Sequence, residues 1–144
     1  MTDLSSLTAA SIHIAEQHPD LKLLILFGSR ARGDYDLSSD WDIAFLDASN
    51  PSNTKPYWFP GADLLITLSN LLQISEDRID LVDLSTCSDI LSHFIARDGQ
   101  LIYERYSGIF EHFHQRAIKS SADLREFRQT QHQKILSALN RWGV

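Results

Sequence analysis

The sequence predicts a small α/β (α+β) domain, a mixed β-sheet flanked by helices and followed by a C-terminal helical arm. Three observations lead there. Leu21 to Phe27 is a short, almost continuously apolar run, as in a strand covered on both faces. Apolar residues recur at three- and four-residue spacing from Ala62 to Ile74 and again beyond Ser107, as in helices. The chain has 144 residues, 43% of them apolar, which is enough for one core and too little for two independent domains.

Asp3 is placed to cap a first helix, in which Leu4, Leu7, Ile12 and Ile14 supply apolar positions until Pro19 stops it near His18. The first strand, Leu21 to Phe27, ends at Gly28-Ser29. Trp41 to Leu46 reads as a second strand, with Trp41, Ile43 and Phe45 on one face and Asp42 on the other. Residues 47–61 contain Pro51, Pro56, Pro60 and Gly61, so a long surface loop is expected there. Its Tyr57-Trp58-Phe59 cluster suits either a lid over the sheet or contact with a ligand. Leu64, Leu65, Leu68, Leu71 and Leu72 mark the next helix, and Arg78 to Leu84 a third strand. Ser88 caps a helix that runs through Arg97 and ends at Gly99, before a fourth strand at Leu101 to Tyr103.

From Ser107 to Trp142 the pattern is helical. Phe110, Phe113, Ala117, Leu124, Phe127, Ile135 and Leu139 form a broken stripe, and Ser120-Ser121 ahead of Asp123 divides it in two. The expected organisation is one domain over residues 1–105 and a helical extension over 106–144 in the same structural unit.

Charge narrows the function. The net charge is −6, but residues 1–96 hold five basic against fourteen acidic side chains, and residues 97–144 hold eight against five. An acidic front does not suit phosphate neutralisation, so direct nucleic-acid binding is not expected; it suits carboxylates that hold divalent cations. The basic tail suits docking of a complementary partner. The single cysteine, Cys87, leaves no internal disulfide and points to a reducing compartment. No basic-then-apolar leader opens the chain, and the longest apolar run, Leu23 to Phe27, falls far short of the ~20 residues that cross a bilayer. A cytoplasmic protein without membrane contact is expected. His112 and His114 lie about 200° apart around a helix, which is not the spacing of a helical zinc pair.

The chemistry concentrates in Gly28-Ser29-Arg30-Ala31-Arg32-Gly33-Asp34-Tyr35-Asp36-Leu37-Ser38-Ser39-Asp40-Trp41-Asp42. Asp40 and Asp42 stand two apart at a strand start, so they project from one face with Cα atoms about 6.6 Å apart. Carboxylates that close repel one another unless a cation lies between them, and Mg²⁺ takes one or two carboxylates plus phosphate oxygens. Gly28 ends a buried strand and allows close approach to the backbone, while Ser29 offers a hydroxyl and an amide to phosphate. Arg30 and Arg32 can neutralise a polyphosphate. A third acid would complete a two-metal site. Asp80, inside a strand where charge needs compensation, is the candidate; Asp83 lies on the opposite face.

Gly-Ser followed after ten residues by Asp-x-Asp resembles the signature of the polymerase-β-like nucleotidyltransferase superfamily. The longer string LFGSRARGDYDLSSDWDIAFL is similar to the minimal nucleotidyltransferases, of the MntA type, that pair as antitoxins with HEPN-domain toxins. The likeness covers about residues 20–85. It implies that Gly28 and Ser29 bind the triphosphate of ATP with Arg30 and Arg32 nearby. It further implies that Asp40, Asp42 and Asp80 hold two Mg²⁺ ions and that Asp80 favours deprotonation of the acceptor hydroxyl. The implied reaction transfers AMP from ATP to a tyrosine of a cognate HEPN RNase toxin within a hetero-oligomeric complex, releasing pyrophosphate. A binding-only antitoxin, or transfer to a small hydroxylated acceptor such as an aminoglycoside, would use the same motif.

Overall fold

Leu21–Phe27 is the strand around which the molecule assembles. In a computed structural model, which describes residues 4–48 and 61–141, this strand, β1, is buried along nearly its whole length. Its side chains alternate between two cores. Leu24 and Leu26 join one, and Leu23, Ile25 and Phe27 the other. A register shift between Leu21 and Leu23 returns Leu21 to the first side. Burial on both faces is why the run is continuously apolar rather than alternating.

Helix α1 (Leu4–Gln17) precedes β1, and the single turn α2 (Gly28–Arg32) follows it. Strand β2 (Trp41–Asp47) runs antiparallel to β1, and β3 (Ile79–Asp83) runs parallel to β2. Strand β4 (Gln100–Glu104) pairs antiparallel with the other edge of β1, so the sheet order is β3-β2-β1-β4. Between the strands lie α3 (Ala62–Leu72) and α4 (Asp89–Asp98), and α5 (Ile109–Ala117) and α6 (Ser121–Arg141) end the chain.

Two helical layers cover the sheet. Leu7 and Ile14 of α1 and Leu64, Leu68 and Leu72 of α3 meet Trp41, Ile43 and Phe45 on one face. Ile95 and Ala96 of α4 and Phe113 and Ala117 of α5 meet Ala44 on the other. Helix α5 is therefore part of the core. Helix α6 is not: none of its described side chains is buried, and Ile135 is 58% exposed.

The elements foreseen in the sequence are present, with three differences. The third strand begins at Ile79, because Arg78 closes a 3₁₀ turn over Glu76–Arg78 that the Ser75 hydroxyl caps. Helix α3 stops at Leu72 because Gln73 turns left-handed at φ 56°. Gly28 opens a helical turn of its own. Ser88 caps α4 by accepting the Leu91 N–H at 3.2 Å, as its position suggested. The break between α5 and α6 lies where Ser120 accepts the Asp123 N–H at 3.1 Å. Asp3, Tyr57-Trp58-Phe59 and Trp142 lie outside the described residues.

Candidate active site

Backbone geometry at the end of β1 decides what can sit there. Gly28 has φ +72°, a region other residues rarely adopt. A Cβ added to it would fall onto the Asp42 carboxylate, 2.9 Å from its Cγ. The close approach that the glycine permits is thus made by Asp42, the residue beside Phe27 in the antiparallel ladder. Ser29 lies in the turn α2, whose N-cap, Phe27, contributes no capping side chain.

Parallel pairing places Asp80 directly beside Asp42. Both belong to the face that carries Ala44 and Val82, so the two carboxylates share the side covered by α4 and α5. Asp42 is half-buried and Asp80 exposed. Burial, followed by the charges of Asp80 and Asp40, pushes the Asp42 carboxyl above the ordinary carboxylate range, and only Arg32 works against them. Asp83 lies on the opposite face, in register with Phe45. Its neighbours are at the far end of the sheet, where it raises the carboxyl of Asp47 together with Asp20 and Asp63.

Asp40 acts on Asp42 through its charge and is not placed by the ladder. It precedes β2 and lies outside the ladder, in a turn held by its own side chains. Asp36 accepts the Ser38 N–H at 2.8 Å, and the Ser39 hydroxyl accepts the Asp36 N–H at 3.0 Å. The Asp40 carboxylate stands 4.0 Å from Nε of Arg78 and is 62% exposed. Among the described residues no group of three acidic, imidazole or thiol side chains is already drawn together at coordinating distance.

The arginines divide their work. Arg30 donates to the Ser39 carbonyl at 3.0 Å and packs its guanidinium over Trp41, 4.3 Å away, and over Tyr35 at 4.7 Å. The expectation that it meets phosphate finds no support in these contacts, which bind it to the chain itself. Arg32 lies 3.4 Å from Asp34 and 3.6 Å from Asp98, a carboxyl held low by Arg97 and then by Arg32. It remains close enough to act on Asp42. Arg78, which the sequence reading did not single out, donates to the carbonyls of Leu37 at 2.8 Å and Ser39 at 3.0 Å. Its position two residues before Asp80 was the available signal.

The donor set fits a hard divalent cation. It is all carboxylate oxygen, and negative charge crowds Asp42 without a full counter-charge, which a bound ion supplies.

Residues 10–107 match the family model described as polymerase beta, nucleotidyltransferase. The chain is 36% identical to a protein of Aphanizomenon flos-aquae (strain 2012/KM1/D3) named protein adenylyltransferase MntA, over 98% of this chain and 95% of that one. A crystal structure of a toxin–antitoxin with AMP-PNP superposes with TM-score 0.62 at 25% identity, covering 92% of this chain and 97% of the other. A chain in the structure of a tri-AMPylated Shewanella oneidensis HEPN toxin in complex with MNT antitoxin shares the fold, at TM-score 0.58 and 23% identity over 94% of this chain and 98% of that one. With the motif, the strand register and the family model in agreement, the chain belongs to the polymerase beta nucleotidyltransferase family.

Proposed function

We propose that this protein is a cytoplasmic antitoxin that transfers AMP from ATP to a tyrosine hydroxyl of its cognate HEPN RNase toxin, within a hetero-oligomeric complex. The observation that carries the reading is the Asp42–Asp80 register pair at the Gly28-Ser29 bend. Near-full-length likeness to a protein named protein adenylyltransferase supports it, as does likeness to a toxin–antitoxin with AMP-PNP.

Gly28 and Ser29 take the triphosphate, with Arg32 at the rim offsetting its charge. Asp40, Asp42 and Asp80 are the ligands for two Mg²⁺ ions. When bound, the metal neutralises the triphosphate and polarises the α-phosphorus. Asp80, exposed beside the half-buried Asp42, favours loss of the proton from the acceptor hydroxyl. The acceptor oxygen bonds to the α-phosphorus, the bond to the β-phosphate oxygen breaks, and pyrophosphate leaves. Added phosphate then places negative charge where the toxin must bind RNA, which stops the nuclease.

Co-incubation of the chain with its toxin, ATP and Mg²⁺ should raise the toxin's intact mass by one or more AMP units. Asp42→Asn should abolish the shift and the rescue of growth. Rescue undiminished in Asp42→Asn would select a binding-only antitoxin. Label passing from ATP to small hydroxylated compounds and not to protein would reassign the acceptor.

A further inference from the structure

We infer that Arg78 is the positioning residue that delivers Asp40 to the Asp42–Asp80 pair, an inference resting on the reading that these three carboxylates hold metal. Asp80 and Asp42 are fixed by parallel register, but Asp40 precedes the strand, so pairing does not place it. The turn over residues 36–39 is bonded internally through Asp36, Ser38 and Ser39. Two guanidinium groups attach that turn to the rest of the molecule, both donating to the Ser39 carbonyl at 3.0 Å. Arg30 reaches it from nine residues back. Arg78 reaches it from the head of β3, the strand that carries Asp80, and takes the Leu37 carbonyl as well at 2.8 Å.

Arg78 also faces Asp40 as an ion pair, and the two roles have opposite consequences. If the guanidinium mainly competed with a cation for Asp40, its removal would tighten metal binding. If it mainly holds the turn, removal would weaken binding. An ion pair at 4.0 Å with a carboxylate 62% exposed contributes little, whereas charge-assisted bonds to two carbonyls contribute more. The two carbonyl bonds outweigh the charge. Both bonds leave one nitrogen, Nη2, so a lysine ammonium with its three donors replaces them in part, and glutamine, shorter and neutral, replaces them least.

The test compares full-length wild type, Arg78→Lys and Arg78→Gln by Mn²⁺ titration with AMP-PNP, reading free Mn²⁺ by electron paramagnetic resonance. Thermal melting without metal runs alongside. Arg78→Gln should bind Mn²⁺ about tenfold more weakly and Arg78→Lys less so, while both melt within about 5 °C of wild type. With saturating Mg²⁺, transfer to the toxin should recover. Wild-type binding by Arg78→Gln would remove the positioning role and overturn the proposal, as would tighter binding by either variant. Melting more than about 10 °C below wild type would make Arg78 a structural residue and also overturn it. Asp42→Asn separates the two readings. Undiminished Mn²⁺ binding there removes the metal site itself, whereas lost binding beside wild-type affinity in Arg78→Gln removes only the positioning role.

Discussion

Gly28 and Asp42 are coupled, because the carboxylate occupies the space that any side chain at Gly28 would need. Gly28→Ala meets this contact and a positive φ, costing about 2–3 kcal/mol and lowering transfer by about 100-fold or more. In that background Asp42→Ala should restore part of the stability lost, read by urea unfolding; strict additivity would contradict the contact. A second carboxyl allows a pH test away from the site. Partial desolvation of Asp47, an otherwise exposed residue, then Asp83, Asp20 and Asp63, push its carboxyl above the ordinary range, against the pull of His18. The folded chain therefore binds this proton more tightly than the unfolded chain. Its contribution favours folding below the unfolded value and is lost as pH rises through the folded one. Asp47→Asn should raise stability at pH 7 and give no gain below about pH 4, compared by melting at both values. Equal gains at both pH values would contradict it.

Element by element, what the sequence revealed depended on whether neighbours or distant residues decide the conformation. The strand β1 was legible because burial on both faces leaves no polar position but Lys22. The helix α4 was legible because its cap, Ser88, is local. The turn α2 is five residues long, too short for a periodic signal. The role of Arg78 depends on carbonyls about forty positions away, so spacing along the chain could not show it. The two terminal helices, alike in pattern, differ in burial. Phe113 of α5 is 6% exposed, so Phe113→Ala should cost about 3–5 kcal/mol in urea unfolding. Helix α6 buries none of its described side chains, so ending the chain at Ser120 should shift the melting midpoint by less than about 3 °C. The Lys119 N–H, which donates to the buried His93 ring at 2.9 Å, is retained in that truncation. A large loss on truncation would show that α6 supports the fold.

Over the whole molecule, the sheet order β3-β2-β1-β4 puts the two acidic groups at opposite ends and on opposite faces. Asp42 and Asp80 lie beside the end of β1, whereas Asp47 and Asp83 lie near its beginning. One acidic surface read from composition is thus two places with different surroundings. The mid-strand place of Asp80 was enough to single it out, and the register of β2 and β3 sets it beside Asp42. The contacts of Asp40, whose carboxylate faces Arg78, and of Arg30, which stacks on Trp41, do not follow from spacing along the chain. Among the described residues no helix is long and apolar enough to cross a membrane. The most direct test of the central claim is anomalous scattering at the manganese edge from crystals of the full chain grown with Mn²⁺ and AMP-PNP. A peak between the carboxylates of Asp42 and Asp80, joined by Asp40 and beside the Gly28-Ser29 bend, is the predicted result. Nucleotide bound with no peak there, or metal held only at the Asp47 end, would contradict the account.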